Sequence, residues 1–285
     1  MYTNQLINNH SLVDGRRVKE NMIYESCHHR FFHLFLFMAV SQVHLRYARG
    51  SNMIRKRFHI DKIPVILWGE ESNKVVIAVH GNMSNKEDVP IEQFSKYALI
   101  KGYQVLSFDL PEHGDRKTDN IPCKPPVCVR DLTSIMAYAK LKWEHISLFA
   151  NSMGAYFSLL AYKDEPLEKV WFLSPLVDMQ RLIKNMMLWF NVSEEQLEKE
   201  QIVNTPIGQT LYWDYFSYVK EHPITTWNAK TNILYGSKDE ICEYDTILDF
   251  TERFPCKLKV IQEAEHYFHT KEQLRELDKW IQATL

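Results

Sequence analysis

Ser152, Asp239 and His266 lie far apart in a chain of 285 residues, yet each occupies a setting from which one proton relay could be assembled. Ser152 sits in the stretch Ala150-Asn151-Ser152-Met153-Gly154, between the apolar run "HISLF" and the helix-forming run "AYFSLLAY". A strand that turns into a helix with almost no loop needs small residues around the turn, and Ala150 and Gly154 meet that need. A serine hydroxyl is a poor nucleophile at neutral pH, so it requires a base within hydrogen-bond reach and an acid to hold that base's tautomer. Two later segments offer both. "ILYGSKDE" places Asp239 just past a strand's carboxyl end, the side of an open α/β sheet where ligands bind, and "IQEAEHYFHT" places His266 just past the next strand. His269 competes with His266 but comes later after its strand, and Asp245 competes with Asp239 but falls inside a helical pattern. Alone, a small-x-Ser-x-Gly turn fits a structural serine equally well. The order Ser, Asp, His on successive strand ends favours nucleophilic catalysis.

The elements that must position these side chains are legible from residue 57 onward, where short β-branched or aromatic runs alternate with longer amphipathic ones. "KIPVILWG", "KVVIAVHG", "YQVLSFDLP", "HISLFA", "KVWFLSP", "TNILYGSKD" and "CKLKVIQ" read as strands, the second apolar on both faces as a central strand must be. "VPIEQFSKYALIKG", with Gly102 as its cap, "VCVRDLTSIMAYAKLK", "MGAYFSLLAYK", "TILDFTERF" and "TKEQLRELDKWIQATL" carry helical periodicity. After Pro175 the alternation breaks. Residues 178–226 read as an insertion with two or three helices, among them "MQRLIKNMMLWF" and "SEEQLEKEQIV", the latter opened by Ser193. Its "LYWDYFSY" cluster fits an acyl pocket or a plain packing face equally, and "EEQLEKE" fits a solvated face. The fold class expected is α/β: a mostly parallel central sheet flanked by helices, with a helical cap inserted after the strand that follows the nucleophile helix. Residues 53–285 are expected to form this domain. Residues 1–52 are expected to be an N-terminal extension outside it, with Met53 as an internal translation start.

Composition narrows the function. Hydrophobic residues at 45% and charged residues at 25% are ordinary globular usage, and a net charge of -2 offers no field for a phosphate backbone, so no nucleic acid partner is expected. The apolar run from Phe31 to Val40 is about half the length of a membrane span, so none is expected. Ala39 and Ser41 have cleavage-like spacing, but the long preceding region with Asp14, Glu20 and Glu25 disfavours a signal peptide. The odd set Cys27, Cys123, Cys128, Cys242 and Cys256 reads as free thiols in a reducing, cytoplasmic setting. "CKPPVC" lacks zinc-knuckle spacing and a second Cys/His pair, so no metal is expected.

Three further stretches carry a family resemblance: "VVIAVHGNMSNKED", "GYQVLSFDLPEHGDR" and "YGSKDE". With the serine turn they make residues 57 to 283 resemble an α/β-hydrolase-fold serine hydrolase, and the capped layout is similar to the monoacylglycerol lipase and serine aminopeptidase-like group. The first position of the family's G-x-S-x-G turn is Ala150 here. The resemblance implies Ser152 as nucleophile, His266 as base, Asp239 as acid, and no cofactor. It implies a small-molecule acyl substrate, an ester or else a thioester or small amide. An oxyanion hole needs two backbone N–H donors; the helix start supplies Met153, and the resemblance supplies Asn82 after His80-Gly81. By the same resemblance His80 and His113 are structural, and Asp109 is expected to brace its loop. An aminopeptidase, anchored by Glu194, Glu195, Glu198 or Asp214, and a non-catalytic binder on the same fold are the alternatives. Activity is expected to fall on the acid side as the catalytic imidazole takes up a proton.

Overall fold

A computed structural model describes residues 53–206 and 208–285; the extension expected over 1–52 lies outside the described residues. The described residues fall into two compact units, one of Lys184–Trp213 and one of residues 53–183 with Asp214–Leu285.

The larger unit is built on eight strands. β1 (Arg55–Ile60), β2 (Ile63–Trp68), β3 (Lys74–Val79), β4 (Gln104–Phe108), β5 (His145–Asn151), β6 (Val170–Leu173), β9 (Thr231–Gly236) and β10 (Cys256–Ile261) lie in the order β1-β2-β4-β3-β5-β6-β9-β10. Only β2 pairs antiparallel with its neighbours β1 and β4; every other pairing is parallel. β3 and β5 are buried on both faces because helices cover both sides, which is why their sequences run apolar without alternation. β1 escapes sequence reading because "RKRFHI" has no apolar alternation. It is an edge strand, and its arginines reach outward: Arg55 to Glu92 and Arg57 to Glu87, each at 2.6 Å. Charge on an edge discourages another chain from adding to it.

The flanking helices of this unit are α1 (Val89–Ile100), α2 (Pro125–Lys142), α3 (Met153–Ala161), α6 (Trp213–Glu221), α7 (Tyr244–Arg253) and α8 (Lys271–Thr284). α1 starts where Asp88 accepts the Ile91 N–H at 3.0 Å and Pro90 fills a first-turn position that needs no donor. Its Phe94 stacks on Phe149 at 4.4 Å and meets Trp171 edge-on at 5.2 Å, fixing the helix to the sheet centre. α8 opens with a capping box between Thr270 and Gln273 and buries Leu274, Leu277, Trp280 and Ile281.

The insertion after β6 holds α4 (Met179–Trp189), α5 (Glu194–Glu200), β7 (Ile202–Asn204), β8 (Thr210–Tyr212) and then α6. Ser193 caps α5 by accepting the Gln196 N–H at 3.1 Å. The segment is mostly helical as expected, and it adds an antiparallel ribbon, β7 with β8. Strands of three residues are too short to leave a periodic signal in sequence.

Candidate active site

β5, β6, β9 and β10 are consecutive parallel neighbours, so their carboxyl ends share one edge of the sheet. Ser152 leaves β5 there, Asp239 leaves β9 and His266 leaves β10. Strands lie about 4.8 Å apart, so serine and aspartate stand roughly 10 Å apart across β6, and an imidazole between them has the right length to join them.

Ser152 is the single residue between β5 and α3, with φ 50 and ψ -117. A non-glycine residue held in that region costs about 1–3 kcal/mol, which the surroundings must over-determine. They do: its N–H donates to Leu173 O at 3.0 Å, and its carbonyl accepts from Ala155 N–H at 3.0 Å and Leu176 N–H at 3.1 Å. A Cβ on Gly154 would stand 2.4 Å from His80 O and 2.7 Å from Val79 O, so no larger residue fits where α3 crosses β3. Ala150, fully buried, occupies the position where the family pattern has glycine.

The hydroxyl Oγ of Ser152 is 2.7 Å from Nε2 of His266, and Nδ1 of His266 is 2.7 Å from Oδ2 of Asp239. With Asp239 Oδ2 accepting the Nδ1 proton, the lone pair of Nε2 faces the serine hydroxyl. The second carboxylate oxygen accepts the N–H groups of Ile241 at 2.9 Å and Cys242 at 2.8 Å, locking the acid's rotamer. The Asp239 side chain is 0% exposed and that of His266 8%, so water does not compete for these bonds.

The two loops are stitched together by contacts that sequence reasoning missed. Lys238 N–H donates to Ala264 O at 2.8 Å, Ser237 N–H to Ile261 O at 2.9 Å, and Glu263 N–H to Ser237 Oγ at 2.9 Å. Gly236 ends β9 so close to the other loop that a Cβ would lie 2.4 Å from Ala264 O. The glycine in "YGSKDE" is the one sequence signal that pointed to this approach.

The loop after β3 passes beside the serine: a Cβ on Gly81 would lie 3.2 Å from the Ser152 Cβ. Two histidines shape that loop. His80 Nε2 accepts the Leu110 N–H at 3.0 Å and Nδ1 bonds Gly81 O at 2.7 Å. Burial, helped by neighbouring His113, pushes the His80 pKa down to about 3, so the ring is neutral and keeps that acceptor. His113 Nε2 accepts the Met83 N–H at 3.0 Å, lies 3.2 Å from the Asn82 side-chain amide, and Nδ1 meets Pro111 O at 2.7 Å. Met83 is thereby held at φ 56. Neither histidine bonds Ser152. Asp109 is fully buried and binds the N–H groups of Lys86 and Asp115, each at 2.9 Å, together with the Lys86 ammonium. His269 bonds Tyr267 O at 2.8 Å through Nδ1, and Asp245 lies in the first turn of α7.

Asp239, Cys242 and His266 also form, among the described residues, a group of potential metal ligands within 4.8 Å. The facing atoms of Asp239 and His266 are already joined by the bond above, and burial holds the Cys242 thiol well above its ordinary pKa, keeping it protonated and a poor ligand. A separate cavity of about 170 Å³ is lined by Tyr156, Asp178, His222, Thr246 and Arg253, among others, and not by the three side chains. No helix among the described residues is long and apolar enough to cross a membrane.

Compared by sequence, the chain matches no protein-family model and no curated protein. Compared by structure, it is similar to Est1E from Butyrivibrio proteoclasticus with bound ferulic acid, at 18% identity and a TM-score of 0.65 over 80% of this chain and 98% of that one. It is similar to alpha/beta hydrolase domain-containing protein 10 from mouse, at 15% identity and TM-score 0.65, covering 81% and 97%. The esterase Pf2001 of Pyrococcus furiosus follows at 20% identity and TM-score 0.59, covering 82% and 90%. The chain has the α/β-hydrolase fold.

Proposed function

We propose that this α/β-hydrolase-fold chain is a serine hydrolase that cleaves a carboxylic ester through an acyl-enzyme intermediate. The observation that carries the reading is the unbroken line from Ser152 Oγ through His266 to Asp239, with both links at 2.7 Å. Ser152 attacks the substrate's carbonyl carbon while His266 Nε2 takes the hydroxyl proton. Asp239 holds the imidazole and stabilises its charged form. The carbonyl oxygen, now negative, is received by the backbone N–H groups of Met153 and Asn82, each worth about 3 kcal/mol of barrier. His266 returns the proton to the leaving alcohol, and water then releases the acyl group by the same relay.

An ester is favoured over an amide because one of the structural neighbours, Pf2001 of Pyrococcus furiosus, is named an esterase. Of the four acidic anchors an aminopeptidase could use, Glu194, Glu195, Glu198 and Asp214, the Asp214 carboxylate is engaged by Lys124 at 2.6 Å. Free thiols at Cys123, Cys128, Cys242 and Cys256 support a reducing, cytoplasmic setting.

The test is hydrolysis of p-nitrophenyl esters of graded chain length by the purified full chain, beside aminoacyl anilides. Turnover of at least one ester, abolished in Ser152→Ala, is expected. Equal rates for wild type and Ser152→Ala would overturn the reading, and turnover of the anilides alone would favour a peptidase.

A further inference from the structure

"CKPPVC" finds no use in the proposed hydrolysis, yet its two sulfurs meet. Cys123 Sγ and Cys128 Sγ are 3.7 Å apart, where α2 begins at Pro125 and brings Cys128 back over the loop. Cys123 is partly exposed and Cys128 is buried. The Cys123 N–H donates to Glu112 Oε2 at 2.9 Å, tying the loop to the residue before His113. Both His113 nitrogens are engaged, with Pro111 O and the Met83 N–H, which leaves the ring no lone pair for a metal.

We propose that Cys123 and Cys128 form a peroxide-oxidisable dithiol whose disulfide shifts His113 and, through it, the loop that carries Asn82. Cys123 is the attacking sulfur, being the partly exposed member, and Cys128, being buried, the resolving one. The Cys123 sulfur attacks one oxygen of hydrogen peroxide, the O–O bond breaks, and hydroxide leaves with the thiol proton as water, giving a sulfenic acid. The Cys128 sulfur then attacks that sulfur, the S–O bond breaks, and hydroxide departs as a second water with the Cys128 proton. Two thiols and one peroxide become one disulfide and two waters. A hydrogen bond from Cys128 lowers the Cys123 pKa against the effect of burial, with His113 adding to the lowering, while burial raises that of Cys128. That asymmetry agrees with attack by the partly exposed Cys123 and resolution by the buried Cys128.

Closing the sulfurs from 3.7 Å to a bonded separation of about 2.0 Å draws Cys123 toward α2 and pulls on the Glu112 carboxylate that its N–H holds. Glu112 directly precedes the ring that accepts the Met83 N–H, so the shift passes to His113 and the adjacent Asn82 amide moves. The effect on rate rests on the function proposed above; the disulfide itself does not.

The experiment treats the full chain with hydrogen peroxide and follows the tryptic peptide 118–130, which keeps both cysteines because Pro125 follows Lys124. Expected is a peptide lighter by two hydrogens, restored by dithiothreitol, with Cys242 and Cys256 still free. In Cys128→Ser, dimedone should trap a sulfenic acid at Cys123; in Cys123→Ser, nothing should form at Cys128. Ester turnover should fall about tenfold on oxidation and recover with dithiothreitol. A peptide that stays reduced while free glutathione in the same tube oxidises would overturn the dithiol, with or without folded variants. A disulfide that forms with turnover unchanged would overturn its link to the loop. A chain that forms the disulfide yet hydrolyses no ester before oxidation would contradict the proposed function and leave the dithiol standing.

Discussion

Ser152 is held at positive φ by three backbone hydrogen bonds and by the absence of a side chain at residue 154. Gly154→Ala is therefore expected to force α3 away from β3 and lower stability by about 2–4 kcal/mol, read from the urea midpoint. Asp239→Asn keeps the size of the acid but can donate to His266 Nδ1, which favours the wrong tautomer. Its kcat on an ester substrate should drop by about four orders of magnitude, the scale known for a serine protease, with an unchanged circular dichroism spectrum. The three residues themselves were legible in sequence because each follows an apolar run that ends in a turn. The strained φ, the exclusion of a Cβ at Gly154 and the stitching of the two loops were not. They arise from backbone atoms of β3, β9 and β10 meeting across the sheet, and no local pattern records such meetings.

Among the elements, the seven strands with apolar runs and the five helices with clear periodicity were read correctly to within a few residues at their ends. β1 was not, since an edge strand needs little apolar content; nor was the β7–β8 ribbon, which is too short to show a period. α2 begins two residues before its periodic stretch, because Pro125 suits a helix start without contributing to the apolar face. The loop after β3 depends on a buried ion pair that sequence could not reveal: the Lys86 side chain is 4% exposed and that of Asp109 0%. Burial works against the Lys86 ammonium, but Asp109 and Asp115 more than offset it, and its pKa rises. Asp109→Ala strips away the buried partner of Lys86 and the acceptor of two backbone N–H groups. It should cost about 3–5 kcal/mol in chemical denaturation, and Asp115→Ala, whose carboxylate is exposed, should cost far less.

For the molecule as a whole, buried titratable groups set how stability follows pH. His80 has a folded pKa of about 3 against 6.5 ordinarily, so below about pH 6.5 the unfolded chain takes up a proton that the folded chain refuses. Stability should decline as pH falls from 6.5 toward 3, by a few kcal/mol in order of magnitude. Asp88, raised by burial from 3.8 to about 6, acts in the opposite sense: its stabilisation is present at low pH and is lost as pH rises from 3.8 to 6. Thermal midpoints measured across this range should decline less steeply toward acid in His80→Gln than in the wild type. Activation of Ser152 as a nucleophile is read out by covalent labelling with a fluorophosphonate followed by peptide mapping. The folded chain should gain one adduct, on Ser152, which disappears in Ser152→Ala and forms far more slowly in His266→Ala. An unlabelled wild-type chain, or an adduct on another residue with Ser152 untouched, would contradict it.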